Sequence, residues 1–305
     1  SSLTPTIAAD LIPKSLHKKL IPMSMRPQAH DIVRTWLFYT LLKNVQLLDS
    51  KAFENVWITG MGLDAHGRAM HKSLGNVIEP APVLKKYGAD AFRLWAASET
   101  NVGEDFRISE DRILGAFKFL TKFWNLARFI SSFETVESGE LNNTDRWILS
   151  ELNEVIKKSR EGYDDFNFFP AATKIREFVW NTFASNYIEM VKNRAYEGNA
   201  GALYTLHTCL KTICSLLAPI CPFTTDKIYR EVYDNTVHKT ELPEAKKNWE
   251  SKLQELTEKI IEFNSNVWKI KKEKCIPLNA EISGVKIPSE LKSFEEDLVR
   301  MHRLV

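Results

Sequence analysis

From Ser109 onward the apolar residues keep a 3.6-residue period almost without interruption, which commits that part of the chain to packed helices. Ser109 is placed as an N-cap, with Glu110 and Asp111 in the first turn, where acids complement the helix dipole. The stripe Ile113, Phe117, Leu120, Trp124 and Ala127 is the expected buried face of that helix. A second helix starts at Thr144-Asp145, packs Ile148, Leu152 and Val155, and stops near Gly162. Pro170 begins a third, through Ile175, Phe178, Val179, Thr182 and Tyr187. A fourth covers Ala200 to Leu217 and is ended by Pro219 and Pro222, and a shorter one opens at Thr224-Thr225-Asp226. Four or five helices with short connections make a bundle.

The residues before Ser109 read as mixed α/β. Arg26-Pro27 leads into a helix with the stripe Ile32, Val33, Trp36, Leu37, Thr40 and Leu41. Val56 to Ile58 is a short buried strand stopped by Gly60 and Gly62. Glu79-Pro80 opens a helix that Gly88 caps, and Asp90 to Glu99 is helical again. Beyond Asn235 the composition shifts: a loop at His238–Pro243, a charged helix over Trp249–Lys274, and a strand pair or bulge at Glu281–Ile287 around Gly284. Three units are expected, residues 1–108, 109–240 and 241–305, the last a partial α/β piece that the helical pattern gathering at Val305 leaves incomplete.

Composition supports the helical emphasis, since glycine and proline number only 12 each in 305 residues. At 44% hydrophobic and 26% charged, disorder is excluded. No apolar run approaches the ~18 residues of a membrane span, and Ser1-Ser2-Leu3-Thr4-Pro5 lacks the charged and apolar regions of a secretion signal. A cytoplasmic location with reduced thiols is expected, since the four cysteines form no CxxC pair. His207, Cys209, Cys214 and Cys221 lack the ligand spacing of a structural zinc site, so the cysteines are read as small buried apolar groups and no metal is assigned to them. The net charge of +2 excludes a strongly basic binder, yet the charge is uneven. Lys14, Lys18, Lys19, Arg26, Arg34 and Lys43 face one acid, Asp31, and Arg107–Arg128 carries five basic residues against Glu110 and Asp111. Such stripes are either solvated helix faces or the footprint of a polyanion.

The chemistry concentrates in the window Val56–Pro80. After the strand come Gly60, Gly62, Gly67 and Gly75 with Arg68, Lys72 and Ser73. Glycines admit backbone N–H groups to phosphate oxygens, and a lysine adds a mobile point charge. Gly62 to Gly67 has the spacing of a P-loop, but Arg68 and Ala69 stand where Lys and Ser/Thr are required, and no helix opens there. A P-loop nucleotidase is therefore set aside.

Gly67-Arg68-Ala69-Met70-His71-Lys72-Ser73-Leu74-Gly75-Asn76 resembles the mobile G-R-K-M-S-K-S-L-G-N loop of class I aminoacyl-tRNA synthetases, with eight of ten positions in agreement. Arg26–Trp36 and Ser1–Pro5 resemble the valyl enzymes of archaeal type. Phe123–Phe129, Asp145–Ile148, Asn186–Glu189 and Leu216–Phe223 resemble their anticodon-binding domain. The resemblance implies the C-terminal part of a Rossmann-like α/β catalytic domain, then an all-α anticodon-binding bundle and the small α/β piece. It implies activation of valine by ATP with Mg2+ and transfer to tRNA(Val).

By the same resemblance Lys72 and Ser73 are catalytic, with Lys72 meeting the ATP phosphates. Gly60, Gly62, Asp64, Gly67, Arg68, Met70 and His71 complete the nucleotide site, Arg68 covering for the lysine that Ala69 removes. Gln28, His30 and Asp31 are candidates for valine or adenylate, although His30 and Asp31 also suit a surface and a first-turn role. Asn125, Arg128, Phe129, Lys192 and Arg194 are candidates for the anticodon loop, since aromatic faces stack on unpaired bases. Helix caps or an ion pair inside the bundle explain the same residues. The family's His-x-Gly-His motif and editing insertion do not occur in these 305 residues. A monomer that needs a missing N-terminal half, and that forms no adenylate alone, is expected. The alternatives are a stand-alone RNA-binding module and an isoleucyl-type synthetase.

Overall fold

The computed structural model describes residues 21–305 together with Pro13, Ser15, Leu16 and Lys19. Ser1–Pro5, and Lys14 and Lys18 of the first basic stretch, lie outside the described residues. Strands β1 (Met23–Ala29) and β2 (Phe53–Thr59) pair in parallel, from Met23 opposite Phe53 to Ala29 opposite Thr59. Helix α1 (Phe38–Leu48) makes the crossover, entered through a 3-10 turn at His30–Ile32 and a wide π-type turn at Val33–Leu37. Arg26 and Pro27 thus lie in a strand and do not lead a helix, a correction to the periodicity. In a two-stranded sheet β1 is an edge, where proline's missing N–H is tolerated. Leu37 and Thr40 are buried as the stripe requires, whereas Leu41 is exposed, as are Phe38, Val45 and Leu47 on the same helix.

A second parallel pair, β3 (Gly62–Leu63) with β4 (Phe106–Arg107), brackets the glycine-rich window. Helices α2 (Pro80–Tyr87) and α3 (Ala89–Glu99) run between them, divided at Gly88, whose φ of 81° a glycine alone accepts easily.

The bundle comprises α4 (Glu110–Ile130), α5 (Asn143–Asp164), α6 (Phe168–Glu177), α7 (Ile188–Tyr196), α8 (Ala200–Leu217) and α9 (Pro222–Tyr233). Ser109 takes the N-cap backbone position of α4, but its side chain makes no capping bond. Ile113, Leu120 and Ala127 are buried, while Phe117 is 40% exposed, so the stripe is narrower than its period suggested. Asn142 and Asp145 cap α5 reciprocally, each side chain accepting the other's backbone N–H at 3.2 Å. Between α6 and α7 the helix widens into π-type turns over Phe178–Tyr187. Ser185 Oγ and Asn186 Nδ2 donate to the carbonyls of Trp180 and Asn181 at 2.7 and 2.8 Å, bonds that reinforce the wider turn. Phe178, Phe183 and Tyr187 stack in succession at 5.8 Å between centroids. Burying each such side chain contributes roughly 1.5–3 kcal/mol.

The segment after α9 joins the same core. Helices α10 (Thr257–Glu273) and α11 (Glu295–His302) contribute Ile260, Phe263 and Leu298 to it, and Trp147 Nε1 donates to Thr257 Oγ1 at 2.8 Å. The expected strands at Glu281–Ile287 reduce to one parallel bridge, Ile282 with Leu304, so the α/β character assigned to this piece is absent among the described residues. Buried Lys271 supplies the reason, because its Nζ donates to the carbonyls of Leu278, Ala280 and His302 at 2.8, 2.7 and 2.7 Å. Loop carbonyls satisfied by an ammonium need no partner strand.

The α/β part and the bundle also meet directly. Arg93 of α3 donates to the carbonyls of Ile220 and Pro219 at 2.8 and 3.0 Å, and Asp90 accepts the Thr224 N–H at 2.6 Å. Among the described residues no helix is long and apolar enough to cross a membrane.

Candidate functional site

β2 delivers the chain to the carboxyl end of a parallel pair, the end at which α/β folds bind ligands. Gly60 follows at once. A Cβ there would lie 1.6 Å from the Glu104 carbonyl oxygen, so close packing of the backbone, and not a phosphate, requires this glycine. Asp64 then ties the loop together. Its carboxylate is 5% exposed and accepts the backbone N–H groups of His66 and Arg68, the Arg68 Nε and the Asn76 Nδ2, each at 2.9 Å. Asn76 also donates to the Ala69 carbonyl at 3.1 Å and accepts the His71 N–H at 2.9 Å. The Asn76 amide, followed by the Arg68 N–H, holds the Asp64 carboxyl well below the usual carboxylate range. Gly67 turns within the knot at φ 79°, beside the Arg107 guanidinium.

The knot presents Lys72–Leu74 as a single 3-10 turn ended by Gly75 at φ 63°. Lys72, Ser73 and His71 are exposed, Met70 and Gly62 half-buried. Among the described residues the Lys72 and Ser73 side chains have no hydrogen-bond or ion-pair partner. Two expectations change. Both Asp64 oxygens are taken up inside the loop, which makes Asp64 a positioning residue and not a nucleotide contact. Arg68 is held by Asp64 through Nε and Nη2 at 2.9 Å, so Lys72 is the loop cation that projects free.

The end of β1 adjoins this loop. His30 Nε2 lies 2.7 Å from Asp105 Oδ1, and the same oxygen accepts the Met61 N–H at 2.7 Å. The Met61 N–H first, and His30 second, keep the Asp105 carboxyl low. His30 is thereby joined to the Gly60–Gly62 turn through Asp105, a residue that the sequence did not single out. Gln28 is buried, and neither its Oε1 nor its Nε2 has a partner among the described residues. An unmade bond of this kind costs about 1–3 kcal/mol, which favours a ligand that completes it. Asp31 is exposed in the first turn after β1, where it suits the dipole.

The residues expected to face RNA divide. Asn125 and Arg128 are exposed on α4, and Phe129 packs edge-on against Phe133 and Tyr196 at 5.1 and 6.1 Å. Lys192 joins them, 5.9 Å from the Phe129 centroid and 3.6 Å from Glu189. Arg194 does not. It is 5% exposed, and its guanidinium donates to Asp145, Asp297, Asn142 and Asn199 at 2.9–3.2 Å. All five of its N–H donors are engaged, which overturns its assignment to RNA and realises the ion pair inside the bundle. Burial disfavours this charge, but Asp145 and Asp297 outweigh it and keep the guanidinium protonated. Cys209, Cys214 and Cys221 are buried, their thiols pushed up by burial, and His207 bonds the Tyr233 hydroxyl and Phe133 carbonyl.

Chemically, a free lysine on a braced arch at a strand end suits an anionic ligand such as a nucleotide phosphate. No cluster of three acids, histidines or cysteines able to hold a metal occurs among the described residues.

Two family models match in order along the chain, tRNA synthetases class I (I, L, M and V) over residues 6–109 and the anticodon-binding domain of tRNA ligase over residues 145–287. Over 92% of its length the chain is 41% identical to the valine–tRNA ligase of Nanoarchaeum equitans. The chain belongs to the class I tRNA synthetases. Within these synthetases it is 40% identical to the valine–tRNA ligases of Pyrobaculum aerophilum over 94% of its length and Aeropyrum pernix over 92%. It spans only 37%, 37% and 36% of the three relatives. The fold is shared with the synthetase in the LeuRS–tRNA–LeuAMS complex of Agrobacterium radiobacter, at a TM-score of 0.66 and 22% identity, covering 79% of this chain and 31% of that one.

Proposed function

We propose that the chain supplies the phosphate-binding loop and the anticodon-binding bundle of a valine–tRNA ligase, which activates valine with ATP and transfers it to tRNA(Val). The braced loop carries this reading: Asp64 and Asn76 hold the arch while Lys72 and Ser73 project from it without partners among the described residues. Lys72 places its charge against the ATP phosphates as pyrophosphate leaves, with Ser73 beside it. Magnesium enters with the nucleotide and adds charge neutralisation there. Gln28 offers its unpaired amide to the amino acid or adenylate, and His30 fixes the β1 end against the loop. Exposed Asn125 and Arg128, with half-buried Phe129 and Lys192 beside them, offer a polar and aromatic face to unpaired bases.

The exposed apolar side of α1 is the seat we assign to the part of the enzyme that bears the His-x-Gly-His motif. The 305 residues alone then form no adenylate, and the enzyme works in the cytoplasm as a monomer. Its test uses the enzyme that carries both parts. Lys72→Ala lowers valine-dependent ATP–pyrophosphate exchange by about 100-fold, the order of effect of losing one preorganised charge donor, and leaves tRNA affinity unchanged. Equal losses in exchange and in tRNA affinity, or exchange by the 305-residue chain alone, contradict the reading.

A further inference from the structure

Between α4 and α6 lies an open groove of about 440 Å³, lined by Lys118, Phe119, Arg176, Glu177, Trp180 and Asn181 among others. None of the residues assigned above lines it. Its charge is one-sided. Glu177 is paired with Lys174 at 3.4 Å, and no carboxylate lies within ion-pair distance of Lys118, Lys122 or Arg176 among the described residues. Glu99, whose field reaches Arg176, is itself bound to Arg112.

Arg176 and Lys122 are half-buried, and loss of hydration lowers the pKa of both. Cations withdrawn from water without a counter-charge are unfavourable until an anion completes them. Lys122 is fastened in place, with its Nζ 3.2 Å from both the Trp180 carbonyl and Ser185 Oγ, and 4.1 Å from the Trp180 ring centroid. That indole is 41% exposed and rides on the widened turn between α6 and α7, a distortion that recurs at functional sites. A site for a bare anion needs only the cations. The exposed indole, with Asn181 beside it, adds what a nucleobase uses, a π face and an amide edge.

We propose that this groove seats one unpaired nucleotide of the bound RNA, its phosphate on Lys118 and Arg176 and its base on the indole of Trp180. The proposal rests on the reading that the chain binds tRNA, and Lys122 acts in it as a positioning residue that fixes the indole.

Binding of an unmodified tRNA(Val) transcript to the full chain is measured over a salt series. Lys118 is exposed, so Lys118→Gln leaves the core intact and reduces the salt slope of log K by about 1. Trp180→Ala weakens binding about ten-fold with the slope unchanged, and Trp180→Phe restores most of the loss because it keeps a ring. If the parent chain binds and all three variants bind alike, the groove is overturned while the tRNA reading stands. Loss of slope in Lys118→Gln with full affinity in Trp180→Ala overturns the base seat and leaves a site for any polyanion, an acidic polypeptide included. A parent chain that binds no tRNA overturns the reading, and the groove with it.

Discussion

The Asn76 amide stands 2.9 Å from Asp64 Oδ2 and closes the loop between them, so that its exposed tip, Lys72 and Ser73, is carried by a buried carboxylate. Asn76→Ala removes that bond and the two others that the same side chain makes to Ala69 and His71. Asp64, Arg68 and Asn76 lie outside the main core, so loss of the knot opens the loop without unfolding the bundle. Trypsin cleavage after Arg68 and Lys72 accelerates about ten-fold in Asn76→Ala, because it tracks the open population, while the Tm shifts by less than about 2 °C. A loop as resistant as the parent's would show that Asn76 does not brace it.

Arg194 joins carboxylates from two distant parts of the chain, Asp145 and Asp297. Arg194→Met leaves both acids buried and unpaired, and destabilises by about 3–5 kcal/mol. The urea midpoint falls with the slope unchanged. A variant as stable as the parent, but weaker toward tRNA, would return Arg194 to the RNA face.

His302 sets an acid limit on stability. Asn264 donates its amide to Asn186 and so offers Oδ1 to His302, which places the imidazole proton on Nε2 and leaves Nδ1 bare. Burial first, and Lys271 second, pull this histidine from 6.5 to about 4. The unfolded chain then takes up the proton first as pH falls. The contribution is complete above pH 6.5 and is lost progressively down to about pH 4, by about 3 kcal/mol. Urea midpoints measured across this window fall more steeply for the parent than for His302→Gln, which cannot charge. Equal slopes would remove His302 from the acid response.

The bundle was legible because its signal is local: each helix repeats its apolar residues within a few turns. Phe117 marks the limit, since a period cannot tell which flank of the stripe a neighbour covers. β1 was missed because Arg26-Pro27 suits a helix start as well as an edge strand, and its pairing with β2 becomes visible only when Met23 meets Phe53. In the loop, ten consecutive residues carry the resemblance, but not the bond from Arg68 to buried Asp64, which among the described residues leaves Lys72 as the cation without a partner. The burial of Arg194 carried no local sign, for the two carboxylates that pair with it lie 49 and 103 residues away.

In the function proposed above, this chain reads the anticodon for a valine–tRNA ligase. The most direct measurement is its affinity for a tRNA(Val) transcript against the same transcript with the anticodon replaced by that of another amino acid. Binding is at least about ten-fold tighter to the valine anticodon at equal salt, a difference of about 1.4 kcal/mol. Equal affinity for the two transcripts would contradict it.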